Sequence, residues 1–177
     1  MSDLVRNILR FILFILVQVY VLNRIPFLHQ YIVPILYYLF LLWLPFQLSR
    51  ATLLILGFFT GLALDYFTNT PGLHAAACVL VAFVRPVVIS ILVPKDSSEF
   101  NYREPSPQSM GWTPYMVYAL ILTFCHHFYL LLLEYLSFGN FGAFLIKTGS
   151  TTAISLLMII TTELLFPRRL KFRTNTA

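Results

Sequence analysis

Residues 51–67 read ATLLILGFFTGLALDYF and residues 73–93 read LHAAACVLVAFVRPVVISILV, with the short polar stretch TNTPG at 68–72 between them. A helix needs about 20 mainly apolar residues to cross the roughly 30 Å of hydrocarbon in a lipid bilayer. The two stretches therefore predict a pair of membrane-spanning helices joined by a tight turn.

The whole chain has this apolar character. Of its 177 residues, 59% are hydrophobic and 11% are charged, and the mean hydropathy is +0.80. Soluble domains carry about 25% charged residues, and a chain of this size cannot bury so much apolar surface inside itself. The composition therefore excludes an ordinary soluble domain and a disordered chain. It predicts a protein that is embedded in lipid.

Six apolar stretches are long enough to be spans. We predict an all-α integral membrane protein, residues 1–177 forming one transmembrane domain. Its helices are expected near residues 4–22, 31–48, 51–67, 73–93, 113–138 and 143–166. Only Ser49 and Arg50 separate the second span from the third, so a tight turn helped by Pro45 is expected there. No small-residue cleavage site follows the first span, which predicts a retained anchor.

Basic residues are distributed unevenly between the predicted loops. Six spans with cytoplasmic termini leave only Arg24 and Lys147 on the outer side and put the other ten Lys and Arg residues inside. Cytoplasmic loops of membrane proteins carry such an excess. We therefore predict a bacterial cytoplasmic (inner) membrane protein with both termini in the cytoplasm. This topology explains the net charge of +5 without nucleic-acid binding, for which the charges are too scattered.

The predicted soluble parts are small. The cytoplasmic loop 94–112 is polar and contains prolines, and it is interpreted either as a mobile connector or as a docking segment for a cytoplasmic partner. The basic cytoplasmic tail 167–177 is interpreted as a topological stop or as a contact with anionic lipid. No catalytic domain is expected outside the bilayer.

Ionisable side chains within spans are functional candidates, because burying them in hydrocarbon is unfavourable. Arg85 is predicted to lie about 20 Å below the start of its span, too deep to reach Asp65. Glu163 is therefore its predicted counter-ion. A second polar group is expected near the outer surface, formed by Asp65, His74, Glu134 and Lys147.

Gly57, Gly61 and Asp65 share one helical stripe at i, i+4 and i+8. Glycines at this spacing let another helix approach closely. The turn that follows contains Pro71 and Gly72. The pattern predicts a close-packed helix that ends at a carboxylate, and it assigns these residues to partner binding or to helix packing.

The run from Gly57 to Asp65, followed by Pro71-Gly72-Leu73-His74-Ala75, resembles the central signature of the MreD family of rod shape-determining membrane proteins. The length, the six expected spans and the basic tail also fit that family. The resemblance implies a fold similar to the substrate-binding subunit of energy-coupling-factor transporters. It also implies a non-enzymatic scaffold subunit of the cell-elongation complex (elongasome), which helps to organise peptidoglycan synthesis and cell shape. The implied partners are MreC, the MreB filament, a glycan polymerase and a penicillin-binding transpeptidase.

The sequence gives little support to an enzyme. It contains no zinc-protease, phosphate-loop, nucleophile-elbow or dinucleotide motif. His126 and His127 lie too far along a helix from Glu134 to share a metal ion, so they are expected to form interhelical hydrogen bonds or a polar seam. A rhomboid-like protease would need a serine paired with a histidine, and the sequence flanking Ser90, Ser150 and Ser155 favours none of them. We predict no metal and no cofactor.

Two functions remain open. In the scaffold hypothesis, the stripe of Gly57, Gly61 and Asp65 grips the transmembrane helix of MreC. The alternative is a substrate-binding membrane subunit of a small-solute (vitamin-type) transporter. A transported polar solute would require convergent polar groups at the midplane of the membrane, where the sequence offers Arg85 and a few hydroxyl groups.

Overall fold

The computed structural model describes residues 3–25, 33–93, 104–135 and 141–168. Within these ranges the regular secondary structure is entirely helical, and no strand is present. The helices are α1 (Asp3–Tyr20), α2 (Leu39–Leu42), α3 (Arg50–Thr68), α4 (Leu73–Leu92), α5 (Pro107–Met110), α6 (Trp112–Tyr135) and α7 (Phe141–Leu165). Five of them, α1, α3, α4, α6 and α7, are long and apolar enough to cross a membrane. They coincide with five of the six predicted spans, although residues 136–138 of the fifth prediction lie outside the described ranges.

The bundle has an apolar surface and a partly polar interior. Large apolar side chains face outward on every long helix, for example Leu13, Phe59 and Phe83, which are 58%, 58% and 67% exposed. Charged side chains such as Asp65 and Arg85 are buried instead. Ionisable residues of membrane helices usually face the bundle interior in this way, which agrees with a multi-pass membrane protein.

The second predicted span, residues 31–48, is not a long helix. Residues 31 and 32 lie outside the described ranges, and the rest contains only the four-residue helix α2 between stretches of irregular backbone. Residues 33–49, which we call the buried segment, are nevertheless well packed, since Tyr37 to Leu42 are at most 5% exposed. Pro34 and Pro45 bracket its centre, and proline cannot donate a backbone hydrogen bond.

Side chains of neighbouring helices pair with the irregular backbone of the buried segment. Gln18 of α1 accepts the backbone N–H groups of Leu36 and Tyr37 at 2.7 and 3.3 Å. The hydroxyl of Tyr118 on α6 donates to the carbonyl of Leu42 at 3.0 Å. Unpaired backbone groups are very unfavourable in an apolar environment, so these contacts allow non-helical backbone to remain inside the bundle.

The buried segment runs antiparallel to α1. Its beginning contacts Gln18, near the end of α1, through the carbonyl of Pro34. Further along, the ring of Trp43 lies 5.3 Å from the guanidinium of Arg10, near the start of α1. The eight helical residues between these contacts correspond to about 12 Å along the axis. The buried segment therefore advances along the bundle as a helical span would.

The start of α1 and the end of α7 lie at the same end of the bundle. Arg6 and Arg168 both form ion pairs with Glu104, at 3.1 and 3.5 Å. Five helices alone would put the two ends of the chain on opposite sides, and the buried segment supplies the additional reversal. We call this end the Glu104 end and the opposite one the Asp65 end.

Residues 104–110 pack against the bundle. Glu104 is 3% exposed and Met110 is 4% exposed. Ser106 and Ser109 cap α5 reciprocally, each side chain accepting the backbone N–H of the other residue. This half of the predicted loop 94–112 is therefore not the mobile connector that the sequence suggested, while residues 94–103 lie outside the described ranges.

Candidate functional site

Gly57 and Gly61 lie where α3 packs against α4. A Cβ atom on Gly57 would lie 2.9 Å from the carbonyl oxygen of Cys78, and one on Gly61 would overlap the backbone of Ala75. Because glycine has no Cβ, the two backbones can approach this closely. The glycine stripe therefore packs two helices of the same chain together.

Asp65 continues this stripe and is 3% exposed. Its Oδ1 accepts the hydroxyl of Thr70 at 3.0 Å and the backbone N–H of His74 at 2.9 Å. Its Oδ2 accepts the backbone N–H groups of Gly72 and Ala75 at 3.1 and 3.0 Å. The N–H groups at the start of a helix have no partner within that helix, and the helix dipole favours a negative charge there. Asp65 of α3 thus caps the start of α4.

The turn between the two helices needs two left-handed residues. Asn69 ends α3 with φ 56°, and Gly72 precedes α4 with φ 86°, a conformation that glycine adopts readily. Pro71 is exposed between them. Together with the stripe, this turn forms one closed unit, which we call the α3–α4 clasp (residues 57–75).

The hypothesis that the glycine stripe grips a partner helix does not fit this arrangement. Helix α4 covers Gly57 and Gly61, and the carboxylate of Asp65 already accepts four hydrogen bonds. Of the two roles predicted for these residues, the structure places them in helix packing within the chain.

The predicted ion pair between Arg85 and Glu163 is wrong. Arg85 is 1% exposed, and its Nε donates to the hydroxyl of Tyr118 at 3.0 Å. Its Nη2 donates to the backbone carbonyl of Leu44 in the buried segment. Arg85 therefore supports irregular backbone, and charge counting could not reveal this because its partners are neutral.

Glu163 lies on α7 and is 4% exposed. It accepts the indole N–H of Trp43 at 2.8 Å, the hydroxyl of Tyr115 and a guanidinium N–H of Arg168. The counter-ion of Glu163 is thus Arg168, five residues further along the sequence. Trp43 links this group to the buried segment.

Sequence reasoning missed the central role of Glu104. Its carboxylate accepts from Arg6 at 3.1 Å, from Arg10 at 2.8 and 2.9 Å and from Arg168 at 3.5 Å. The guanidinium carbons of Arg10 and Arg168 both lie near the ring of Trp43, 5.3 and 3.9 Å from its centre. The i, i+4 spacing of Arg6 and Arg10 indicates a cationic helix face, but it does not identify the acid. We call these residues, with Glu163, the Glu104 network.

A polar seam runs through the interior of the bundle. Of the two alternatives predicted for the histidines, His126 belongs to the polar seam, since its partner Tyr37 belongs to the buried segment and not to a helix. The hydroxyl of Tyr37 lies 3.1 Å from His74 Nδ1 and 2.9 Å from His126 Nε2. Cys78 Sγ donates to the same hydroxyl at 3.5 Å. The ring of Tyr38 stacks on His126 with a centroid distance of 4.4 Å. The seam joins the buried segment to α4 and α6.

Ser155 and His127 form a serine–histidine pair across α6 and α7. Ser155 Oγ lies 3.1 Å from His127 Nε2, and His127 Nδ1 lies 2.7 Å from the carbonyl of Thr123. This resembles the geometry of a catalytic dyad. However, both side chains are 0% exposed, so a peptide or a water molecule cannot reach them in this conformation. We interpret the pair as an interhelical hydrogen bond.

A cavity of about 480 Å³ opens at the Asp65 end. Three members of the predicted outer polar group line it, namely His74, Glu134 and Lys147. Lys147 Nζ lies 3.0 Å from each carboxylate oxygen of Glu134, so this acid pairs with a lysine. In the described ranges, no three His, Cys, Asp or Glu residues are grouped closely enough to hold a metal ion.

Comparisons with known proteins supply no relative. No family model matches the chain, and no curated protein and no solved structure is significantly similar to it.

Proposed function

We propose that this chain is a non-enzymatic scaffold subunit of the cell-elongation complex of a bacterium and that it binds MreC. In this role it would position MreC relative to the MreB filament, the glycan polymerase and the transpeptidase that build the cell wall. The proposal starts from the resemblance of residues 57–65 and 71–75 to the MreD signature.

One observation carries the proposal. The signature residues form the α3–α4 clasp, in which the glycines accept a neighbouring helix and all four acceptor positions of Asp65 are used. A catalytic carboxylate would need a free oxygen for its substrate. The α3–α4 clasp therefore fixes the arrangement of two helices. A scaffold needs such a rigid arrangement, because its function is to present a fixed surface to its partner proteins.

We further propose six crossings, with the Glu104 end in the cytoplasm. The buried segment would be the non-helical sixth crossing, since it advances along α1 between two ends of the bundle. Among described residues, the Glu104 end carries Arg6, Arg10, Arg50 and Arg168, whereas the Asp65 end carries Arg24 and Lys147. This distribution favours a cytoplasmic Glu104 end.

Reporter fusions test this orientation. Green fluorescent protein fused after residue 177 should fluoresce, while alkaline phosphatase at the same position should be inactive, because that enzyme folds only outside the cytoplasm. Active phosphatase at this position would refute the orientation.

The MreC contact is tested by photo-crosslinking. The stripe is covered by α4, so the partner must use an outward face such as that of Phe59 on α3, Phe83 on α4 or Leu157 on α7. A photoreactive residue at each of these positions should give an adduct that an antibody identifies as MreC from at least one face. The buried position Leu122, which is 0% exposed, is the matched control. Folded variants that give no MreC adduct from any outward face would refute the proposal.

The cavity at the Asp65 end favours a second candidate, the substrate-binding subunit of a small-solute transporter. Its volume of about 480 Å³ lies within the range of ordinary ligand sites. This candidate requires solute uptake by cells to depend on the chain. Deletion of the gene should then abolish growth that depends on one supplied solute, whereas a scaffold predicts rounded cells with unchanged uptake.

A further inference from the structure

The residues that line the cavity at the Asp65 end carry one net positive charge. Arg24, Lys147 and Glu134 line it, and the last two neutralise each other through their ion pair. Arg24 is exposed, and its guanidinium makes no hydrogen bond or ion pair with another described residue, so one positive charge remains among the lining residues. Asp65 lies behind this wall and keeps its negative charge, but four neutral donors already occupy its oxygens, so it does not pair directly with Arg24.

The hydrogen bonds of the polar seam determine which ring nitrogen of His74 carries the proton. The single proton of the Tyr37 hydroxyl points either to His126 Nε2 or to His74 Nδ1. In the first case a neutral His126 would carry its proton on Nδ1, which is buried without a partner. Orphaned buried N–H groups are rarer than unfilled acceptors. We therefore assign the second arrangement, in which Tyr37 donates to His74 and accepts from His126.

This assignment leaves a donor at the cavity. Because Nδ1 of His74 accepts from Tyr37, the proton of the neutral ring is on Nε2. His74 lines the cavity, and its Nε2 has no partner among the described residues. His74 thus offers an N–H group, and Arg24 offers a guanidinium with five more donors.

Most of the remaining wall of the cavity is apolar. It includes Leu22 after α1, Ile35 of the buried segment and Leu130 of α6. Its other polar residues form hydrogen bonds within the protein, namely Gln18, Asn23, Thr68 and Thr70. Ligand pockets typically combine such apolar walls with a few polar groups that orient the ligand. Here the polar groups that are still free are donors, and their net charge is positive.

We propose that this cavity binds a small amphiphile with one anionic group, a carboxylate or a phosphate, held by Arg24 and His74, with its hydrocarbon part against Leu22, Ile35 and Leu130. The anionic group belongs either to a soluble acid or to the headgroup of a membrane lipid. The site is independent of MreC binding, and its test does not rest on either proposed function.

Equilibrium binding of radiolabelled octanoate to the chain in phosphatidylcholine nanodiscs tests the site, with empty nanodiscs subtracted. Octanoate should bind saturably, octyl phosphate should compete, and octan-1-ol should compete at least about tenfold more weakly because a charged hydrogen bond is lost. Arg24→Gln should weaken octanoate binding by a similar factor. Arg50→Gln, at the other end of the bundle, should leave it unchanged.

His74 provides a second, matched pair of variants. His74→Phe removes the donor and should weaken binding, whereas His74→Gln retains an N–H group and should bind more tightly than the phenylalanine variant. If phosphatidylglycerol in the nanodiscs displaces octanoate, the anionic group is a lipid phosphate; unchanged binding indicates a soluble acid. Absence of saturable binding in phosphatidylcholine, equal competition by octan-1-ol, or an Arg24→Gln variant that binds like the parent would overturn the proposal.

Discussion

At the scale of single residues, the buried charges of this protein hold backbone in place. Asp65 accepts three N–H groups at the start of α4, and Arg85 donates to the carbonyl of Leu44. In both cases a formal charge satisfies peptide groups that no helix pairs. Residues that are costly to bury thus serve the fold at these two positions.

Replacing Asp65 by Asn should destabilise the protein. The amide retains one acceptor oxygen and turns an NH₂ group toward N–H donors, so at least one buried donor loses its partner. We expect the free energy of unfolding to fall by about 2 kcal/mol or more, measured by denaturant titration in detergent micelles. Glu134→Gln is the control, since a partly exposed ion pair contributes only about 1 kcal/mol or less. Equal effects of the two substitutions would contradict the capping role.

Exchanging the charges of Arg85 and Glu163 should not restore a protein that either reversal damages. Arg85→Glu would oppose the carbonyl of Leu44, and Glu163→Arg would oppose Arg168, so the two defects are separate. We expect the double variant to express no better than the worse single variant. Expression at the parental level, measured by immunoblot of membranes, would show that the two side chains pair after all.

At the scale of helices, α3 and α4 depend on the absence of a side chain at Gly61. A Cβ atom there would overlap the backbone of Ala75, which cannot move away without separating the helices. We expect Gly61→Ala to lower the melting temperature in detergent. Gly149→Ala is the control, because nothing lies within 4 Å of that Cβ position and alanine favours a helix by about 1 kcal/mol. A Gly61→Ala variant as stable as the parent would refute the close packing.

The sequence predicts the long helices well because length and hydropathy define them. It does not predict the buried segment, whose apolar run looks like a sixth helix. What keeps this run irregular is a set of contacts with Gln18, Arg85 and Tyr118, which are distant in sequence. The hydropathy pattern of residues 31–48 cannot predict contacts with residues so distant in sequence.

The candidate site shows the same limit. The spacing of Gly57, Gly61 and Asp65 correctly indicates close helix packing, but it does not say whether the neighbouring helix belongs to this chain. Glu104 was overlooked because its three arginines come from both ends of the sequence. For the cavity, the sequence predicts only that His74, Glu134 and Lys147 lie close together. It does not predict the space between them or its apolar wall.

At the scale of the whole molecule, the Glu104 network joins the first helix to the last. Glu104→Gln would leave Arg6, Arg10 and Arg168 close together without their shared anion. Breaking a buried ion pair in this way costs about 3–5 kcal/mol, so we expect a large loss of stability in denaturant titration. The exposed Arg50 gives the comparison, since Arg50→Gln should change stability by less than about 1 kcal/mol. A Glu104→Gln variant that unfolds like Arg50→Gln would show that the network contributes little.

The buried segment also constrains how the protein is made. Its backbone is paired by Gln18, which is synthesised earlier, and by Arg85 and Tyr118, which leave the ribosome much later. Until then its open carbonyl groups cannot rest in lipid without a partner. If the buried segment is the sixth crossing, as we propose, it must stay hydrated or shielded by the insertion machinery until then, and it should enter the bilayer late in biogenesis.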